Sequence, residues 1–387
     1  MALGKWLFRK IVVSFSDQLS FIFSRFRSKN SDLDMCIQMP PDGELIDAKD
    51  TNGAAAMAQV AKLLEESGME DVDVSRLTAR IPLIMFKFVF DNSAGEKKYL
   101  ECDLSMQNPL ACVNTSLLLS YSHVQPDIRV LAAVIKLWAK NRDINSPSKH
   151  TLSSYGYILM LLYFLTTHQV SDDGTISSLF SSNGGISKGK PIVPNLQSVD
   201  PGYILKPGSH YQEISNKPSS QNFVMTHPLE STLSINTYFF EINNESIKKK
   251  AQDLFRPLLK DSALLLAAFF RFYAYEFDFK KHVVSLNATI RKGPVERESK
   301  CESEGWKVFG ETLFIEDPFE VFYDVAHVLK ASTFRIIRKE FALAYTKVME
   351  WSKKCSENTR AECNLMDILF EPISRNGVQK EQTDERL

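Results

Sequence analysis

No two of the six cysteines (Cys36, Cys102, Cys112, Cys301, Cys355 and Cys363) form a C-x-x-C pair, and no histidine falls at zinc-ligand spacing from them. A zinc module therefore has no basis in this sequence, and Cys36 and Cys102, set in apolar runs, read as free thiols of a reducing compartment. Long hydrophobic runs are missing too. The longest, Tyr155 to Thr166 and Ala263 to Phe270, are too short to cross a bilayer, and Arg271 closes the second. No membrane partner is expected. Charge of one sign is also lacking, since the formal net charge is −1. That balance neither demands nor excludes a nucleic-acid partner, because a local basic groove would suffice. One local bias exists: Lys5, Arg9, Lys10, Arg25, Arg27 and Lys29 face only Asp17 before residue 31, a weak likeness to a mitochondrial transit peptide. There is no internal repeat. What is present is 387 residues, 44% hydrophobic and 24% charged, enough for a packed core and more than one domain.

Along the chain, Gly53 to Ser67 has apolar positions at helical spacing and stops at Gly68. Ala79 to Phe90 and Lys97 to Leu104 read as strands joined by the turn Asp91-Asn92-Ser93-Ala94-Gly95. From Pro126 the pattern turns helical, over Asp127 to Asn141, Leu152 to His168, Lys248 to Phe279 and Phe319 to Met349. Ser171 to Asn244 is rich in Gly, Ser, Pro and Asn and reads as long loops with short ordered pieces.

The chemistry begins at Asn30-Ser31-Asp32-Leu33-Asp34-Met35-Cys36-Ile37. In a strand, Asp32 and Asp34 share one face while Leu33 turns to the other. Two such carboxylates repel unless a cation lies between them, and Mg²⁺, an oxygen-seeking ion that travels with nucleoside triphosphates, fits best. In Lys97 to Leu104, Leu100, Cys102 and Leu104 take one face and Tyr99, Glu101 and Asp103 the other. Beside the first strand, Asp103 would complete a three-carboxylate cluster for two-metal nucleotidyl transfer. Lys136 and Lys140, four apart on one helix face, read either as a solvated face or as ammonium groups converging on a phosphate tail. The aromatic run Phe269 to Phe277 has the helical spacing of domain core, and His150, His168 and His282 read as structural.

The run Val134 to Asn145 (VIKLWAKNRDIN), followed by Thr151 to Tyr157 (TLSSYGY), resembles the helical-domain core of RNA terminal nucleotidyltransferases. These are the terminal uridylyltransferases and cytoplasmic-type poly(A) polymerases of the DNA polymerase β superfamily. Asn108-Pro109-Leu110, Asn114-Thr115, Pro194-Asn195-Leu196-Gln197, Tyr275-Glu276-Phe277-Asp278, His282-Val283-Val284-Ser285 and Ile315-Glu316-Asp317-Pro318-Phe319 extend the likeness in order, from about Lys29 to Phe341.

The resemblance implies an α+β chain. A polymerase-β-like palm, incomplete at its start, would occupy 29–115 after an atypical basic segment at 1–28. A larger, mainly helical domain would occupy 116–350, with its PAP-associated region at about 261–322, followed by a polar tail at 351–387. The active site would lie in the cleft between palm and helical domain. It further implies that Asp32, Asp34 and Asp103 bind Mg²⁺ or Mn²⁺, and that Asn114 and Thr115 contact the ribose. Lys136, Lys140 and Ser154 would hold the triphosphate, Tyr155 would stack on the base, and Asp317 and Glu320 would lie near its edge.

Three departures from the family pattern accompany these matches. Where a Gly-Ser pair at a helix N-terminus would cradle phosphates, this chain has Ser20-Phe21, with Ser24-Arg25 nearby. Where uridylyl-specific members carry His after the I-E-D-P-F run, it has Tyr323, with His327 at a place often held by Arg. Where members carry a strand Lys, it has Met85, with Lys87 two residues on and on the same face. The expected activity is template-independent addition of UMP or AMP to an RNA 3′ end, UTP favoured over ATP. The expectation kept beside it is a catalytically impaired RNA-binding or scaffold member, because of the replaced Gly-Ser pair. A cytoplasmic location is expected, with mitochondrial or nuclear alternatives.

Overall fold

The computed structural model describes residues 33–37, 53–79, 81–91, 95–106, 108–180, 189–199, 224–227, 230–242, 245–255, 262–307, 312–356 and 369. The chain divides into two compact units, one of residues 1–121 with 218–241 and the other of residues 122–217 with 242–387.

In the first unit, β1 (Leu33–Ile37), β2 (Glu70–Arg76), β3 (Leu83–Asp91) and β4 (Lys97–Met106) form one sheet in the order β1-β4-β3-β2. β3 and β4 pair antiparallel through nine residues, and β1 runs parallel to β4. Strict alternation builds the inner face: Ile84, Phe86, Cys102, Leu104, Met106 and Ile37 are buried against Met57, Ala61 and Leu64 of α1 (Ala54–Glu66). Those three helix residues recur at i, i+4 and i+7, one stripe of a 3.6-residue helix. The opposite face carries Asp34, Glu101, Asp103, Ser105 and, on β3, Met85 and Lys87, by register. β2 was not expected. Its sequence EDVDVSR is almost wholly exposed, so this edge strand has no apolar alternation to reveal it.

The helix α2 (Pro109–Val124) also has no clear period in the sequence. It starts where Asn108 Oδ1 accepts the Ala111 N–H at 3.2 Å and Pro109 opens the first turn. Its amphipathicity is hidden by Ser120, Ser122 and Thr115, all buried. β7 (Val224–His227) and β8 (Glu230–Asn236), also of this unit, form a separate antiparallel pair.

The second unit is helical. α3 (Pro126–Asn141) begins with Pro after an extended Gln125, carries Asp127 in its first turn and Lys140 in its last, and so matches its dipole at both ends. α4 (Ser154–Thr167) is buried almost all round, from Gly156 to Thr167. Trp138 of α3 lies among Tyr157, Phe270 and Phe341, with ring centroids at 6.0, 4.9 and 5.2 Å. The aromatic run is thus core, as its spacing indicates: Phe269, Phe270, Phe272 and Tyr273 are buried, and only Tyr275 of its rings is largely exposed.

Of the helical stretch expected over Lys248 to Phe279, α5 (Glu245–Phe255) and α6 (Ser262–Arg271) are described, with 256–261 outside the described residues and a π turn at Phe272–Glu276 after α6. After α7 (Arg297–Glu304), the helix expected from Phe319 begins only at α8 (Ala331–Ser356). The Asp317 side chain takes the amide hydrogens of Phe319 and Glu320 at 2.9 and 3.0 Å, which turns the chain locally instead of winding it. Among the described residues no helix is long and apolar enough to cross a membrane, and Cys36, Cys102, Cys112 and Cys301 are free thiols.

His168 is the core histidine that its isolation suggests. Nδ1 faces the Phe164 carbonyl at 3.0 Å, Nε2 is buried with no hydrogen-bond partner, and burial pushes the pKa down to about 4. The unfolded chain binds the proton near 6.5 and the folded one only near 4, so this residue's contribution is complete above pH 6.5 and is lost as pH falls toward 4. Asp324 opposes it, since burial raises its carboxyl to about 6 and its share is lost as pH rises from 3.8 to 6. Replacing His168 by Gln should remove the acid-side loss, on the order of 3 kcal/mol. Melting temperature followed from pH 7 to 4 in both proteins checks it; equal acid sensitivity would show that His168 is not its source.

Candidate functional site

On the palm sheet, Asp34 of β1 is the register partner of Asp103 of β4, and Leu33 and Met35 are the partners of Cys102 and Leu104. Since Cys102 and Leu104 fill the core, both carboxylates project from the other face, Asp34 exposed and Asp103 half-buried. The strands are stitched by Ser105 Oγ donating to the Met35 carbonyl at 3.1 Å, and the start of α2 is tied in where the Asn108 N–H meets Cys36 Sγ at 3.3 Å. The Cys36 thiol, on the face of Asp34, is lowered to about 7 by its hydrogen bond with Cys112, with Asn108 and Ser105 adding to it against the opposing pull of burial. Cys36 and Cys112 lie far apart in the chain, which leaves no sign of this contact in the sequence.

Asn114, half-buried, and Thr115, buried, lie in the second turn of α2. Lys87, on the same face as Met85, is paired with Asp71, which holds its ammonium above the usual range. Asp32 and Arg80, the segment 1–28 and its Ser20-Phe21 lie outside the described residues.

In the helical unit, Lys136 is half-buried and Lys140 exposed, one turn apart on α3. Ser153 is the N-cap of α4, accepting the Gly156 N–H at 3.2 Å, so the capping role falls to it and not to Ser154. The Ser154 hydroxyl instead accepts a bond from Asn145 Nδ2 at 2.9 Å. Asn145 sat inside a matched run without an assigned role; an amide nine residues from a hydroxyl leaves no signal in the sequence. Tyr155 donates its hydroxyl to Asp317 Oδ2 at 3.0 Å. Burial, with Asp317, Glu320 and Tyr323 close by, holds the Tyr155 hydroxyl well above the ordinary phenol range, and burial raises the Asp317 carboxyl.

Tyr155, Asp317, Glu320 and Tyr323 are therefore one cluster, although Tyr155 stands far from the others in the chain. The Tyr323 ring lies 5.3 Å from that of His327. Tyr323 and His327 also line a cavity of about 340 Å³ with Trp306, Phe314 and Phe322, which Tyr155, Asp317 and Glu320 do not reach.

The donors suit a hard divalent cation: two carboxylates in register on adjacent strands, on the face opposite the core residues Cys102 and Leu104. Among the described residues no group of three or more His, Cys, Asp or Glu side chains could hold a metal, and the third expected ligand, Asp32, lies outside them.

A mixed sheet presenting two carboxylates, in a chain that also carries a helical unit, is the architecture of a polymerase-β-like palm with a helical domain. Residues 20–123 match the family model "Poly(A) RNA polymerase, mitochondrial-like, central palm domain", and residues 263–321 match "Cid1 family poly A polymerase". The two matches follow one another along the chain, a palm model first and a poly(A) polymerase-associated model after it, in the order the resemblance implies.

It is 29% identical over 371 residues to the terminal uridylyltransferase cid1 of Schizosaccharomyces pombe, covering 92% of this chain and 72% of that one. Against terminal uridylyltransferase 4 of Homo sapiens it is 27% identical, with 82% of this chain and 15% of that protein covered. Against the poly(A) RNA polymerase GLD2-B of Xenopus laevis it is 26% identical, with 71% and 41% covered. Among solved structures, that of Cid1 in complex with the UTP analog UMPNPP is similar at a TM-score of 0.53 and 26% identity, covering 89% of this chain and 81% of that one.

Proposed function

We propose that this chain transfers a nucleoside monophosphate from a ribonucleoside triphosphate to the 3′-hydroxyl of an RNA, without a template, and releases pyrophosphate. The observation that carries the reading is the register pairing of Asp34 with Asp103. The names of the relatives, terminal uridylyltransferases and poly(A) RNA polymerases, support the reaction class. Asp34, Asp103 and Asp32 would hold Mg²⁺ or Mn²⁺, which when bound neutralises the triphosphate and the developing charge on the leaving group. Asp103 is the carboxylate assigned to take the 3′-hydroxyl proton. Asn114 and Thr115 offer an amide and a hydroxyl to the ribose, and hydrogen bonds to a 2′-hydroxyl suffice to select a ribonucleotide. Lys136, Lys140 and Ser154 are assigned to the phosphate tail.

Tyr155 supplies a ring for the base, held by its bond to Asp317. Asp317 and Glu320, both buried, are acceptors for the base edge. Similarity to the uridylyltransferases favours UTP, with ATP next because Tyr323 replaces the histidine of uridylyl-specific members.

The test is the purified chain with a short end-labelled RNA and each of the four NTPs, in Mg²⁺ and in Mn²⁺. The expected result is a ladder above the primer, strongest with UTP. A ladder strongest with ATP overturns the base assignment, and RNA and nucleotide binding without any ladder favours the scaffold reading.

A further inference from the structure

Asp317, Glu320 and Tyr323 sit on a segment whose β contacts among the described residues are isolated bridges, Val284 with Ile315 to a neighbour and Glu316 with Asp324 within the segment itself. A loop without a ladder is as stiff as the side chains that grip it. Three do so through its carbonyl groups. Gln197 Nε2 donates to the Pro318 carbonyl at 3.0 Å, Lys300 Nζ to that of Val321 at 2.5 Å, and Trp306 Nε1 to that of Phe322 at 2.7 Å. The gripped carbonyls thus flank Glu320 and directly precede Tyr323. The loop's other buried acid is tied down as well: Glu316 Oε1 accepts from Ser285 Oγ and Asn287 Nδ2, each at 2.6 Å, and its Oε2 lies 2.5 Å from Lys300 Nζ.

These anchors are buried, Gln197 at 0%, Lys300 at 2% and Glu316 at 1% exposure. Burying a lysine is costly without a compensating partner, and this one is spent on two points of one loop. Gln197 comes from the Pro194-Asn195-Leu196-Gln197 run, which the proposed chemistry leaves unused. Its Oε1 has no hydrogen-bond partner, so the single bond to Pro318 is what the amide contributes here.

We propose that Gln197 and Lys300 are positioning residues for nucleobase selection: they touch no substrate and fix the loop bearing Asp317, Glu320 and Tyr323 in the geometry that discriminates one base from another. This rests on the base-edge role given to that loop above. Discrimination by hydrogen bonding needs acceptors held in place, since a displacement near 1 Å costs about 10²-fold in well-organised sites.

The test uses the full chain with Gln197→Met, which removes one loop bond and no charge, and with the pair Lys300→Met and Glu316→Gln, which removes the Val321 bond without leaving a buried charge alone. Steady-state kinetics with UTP and with ATP are read beside hydrogen exchange of the amides of 315–325 in nucleotide-free protein. Expected are a KM for the preferred nucleotide raised by about 10-fold, a kcat within about 3-fold of the parent and a reduced UTP-to-ATP ratio. Amide exchange in the loop should be faster in both variants. Unchanged KM and base ratio overturn the proposal, even where melting temperature falls or exchange quickens, since the anchors are then structural only. A parent chain that incorporates no nucleotide overturns the transferase reading, and the inference with it; an active parent with unaltered variants overturns the inference alone.

Discussion

Replacing Asp34 by Ala should abolish nucleotide incorporation, with an expected loss of about 10³-fold or more, while the palm stays folded. The register sets the expectation. Asp34 and Asp103 are partners on adjacent strands, which lie about 4.8 Å apart in any sheet, and both carboxylates leave the same face. At that spacing two negative charges repel by an amount on the order of 1–3 kcal/mol, less where water screens them, unless a cation is shared. In the proposed role a shared cation would offset that repulsion and leave the pair to neutralise charge on the triphosphate. Asp103→Asn should lose activity to the same degree and melt at a higher temperature than the parent in EDTA. Added Mg²⁺ or Mn²⁺ should raise the melting temperature of the parent and leave Asp34→Ala and Asp103→Asn nearly unmoved. Incorporation retained by Asp34→Ala would remove the metal assignment, and a cation-induced shift surviving in both variants would put the cation elsewhere.

The second large effect lies in the helical unit and concerns stability. Arg142, just past the end of α3, meets Glu340 of α8 with two parallel bonds, Nε to Oε2 at 2.6 Å and an Nη to Oε1 at 3.1 Å. Both side chains are almost fully covered. Glu340→Ala leaves a guanidinium buried without its carboxylate and should destabilise this unit by about 3–5 kcal/mol. Removing both charges together, as Arg142→Met with Glu340→Leu, should cost far less, because the desolvation penalty goes with the pair. Urea unfolding of the three proteins decides it. A single variant no less stable than the double would mean that water reaches Arg142 and that the pair is not holding α3 to α8.

Local pattern was enough for the elements that bury one clean face. The alternation of Lys97 to Leu104 placed Asp103 opposite the core residues Cys102 and Leu104, and the i, i+4, i+7 stripe of α1 placed Met57, Ala61 and Leu64 inside. It failed where an element has two wet faces or a polar interior. β2 is exposed along nearly its whole length, and α2 buries Ser and Thr among its apolar residues, so neither shows the period on which reading depends. The helix expected from Phe319 failed for another reason: one side chain, Asp317, captured two amide hydrogens and outcompeted the helical bond pattern.

The sequence by itself determined which residue types are available to the proposed chemistry, which faces they take within their own strand or helix, and the order of motifs that carries the resemblance. Those are properties of neighbours in the chain, fixed by backbone geometry over a few residues. Only the tertiary structure decided that Asp34 meets Asp103 in register, that Tyr155 reaches Asp317 across 162 residues, and that Gln197, Lys300 and Trp306 close on one loop. A strand or a buried amide is compatible with many partners. Which one it takes is settled by the packing of the whole core and by the requirement that each buried donor and acceptor be satisfied.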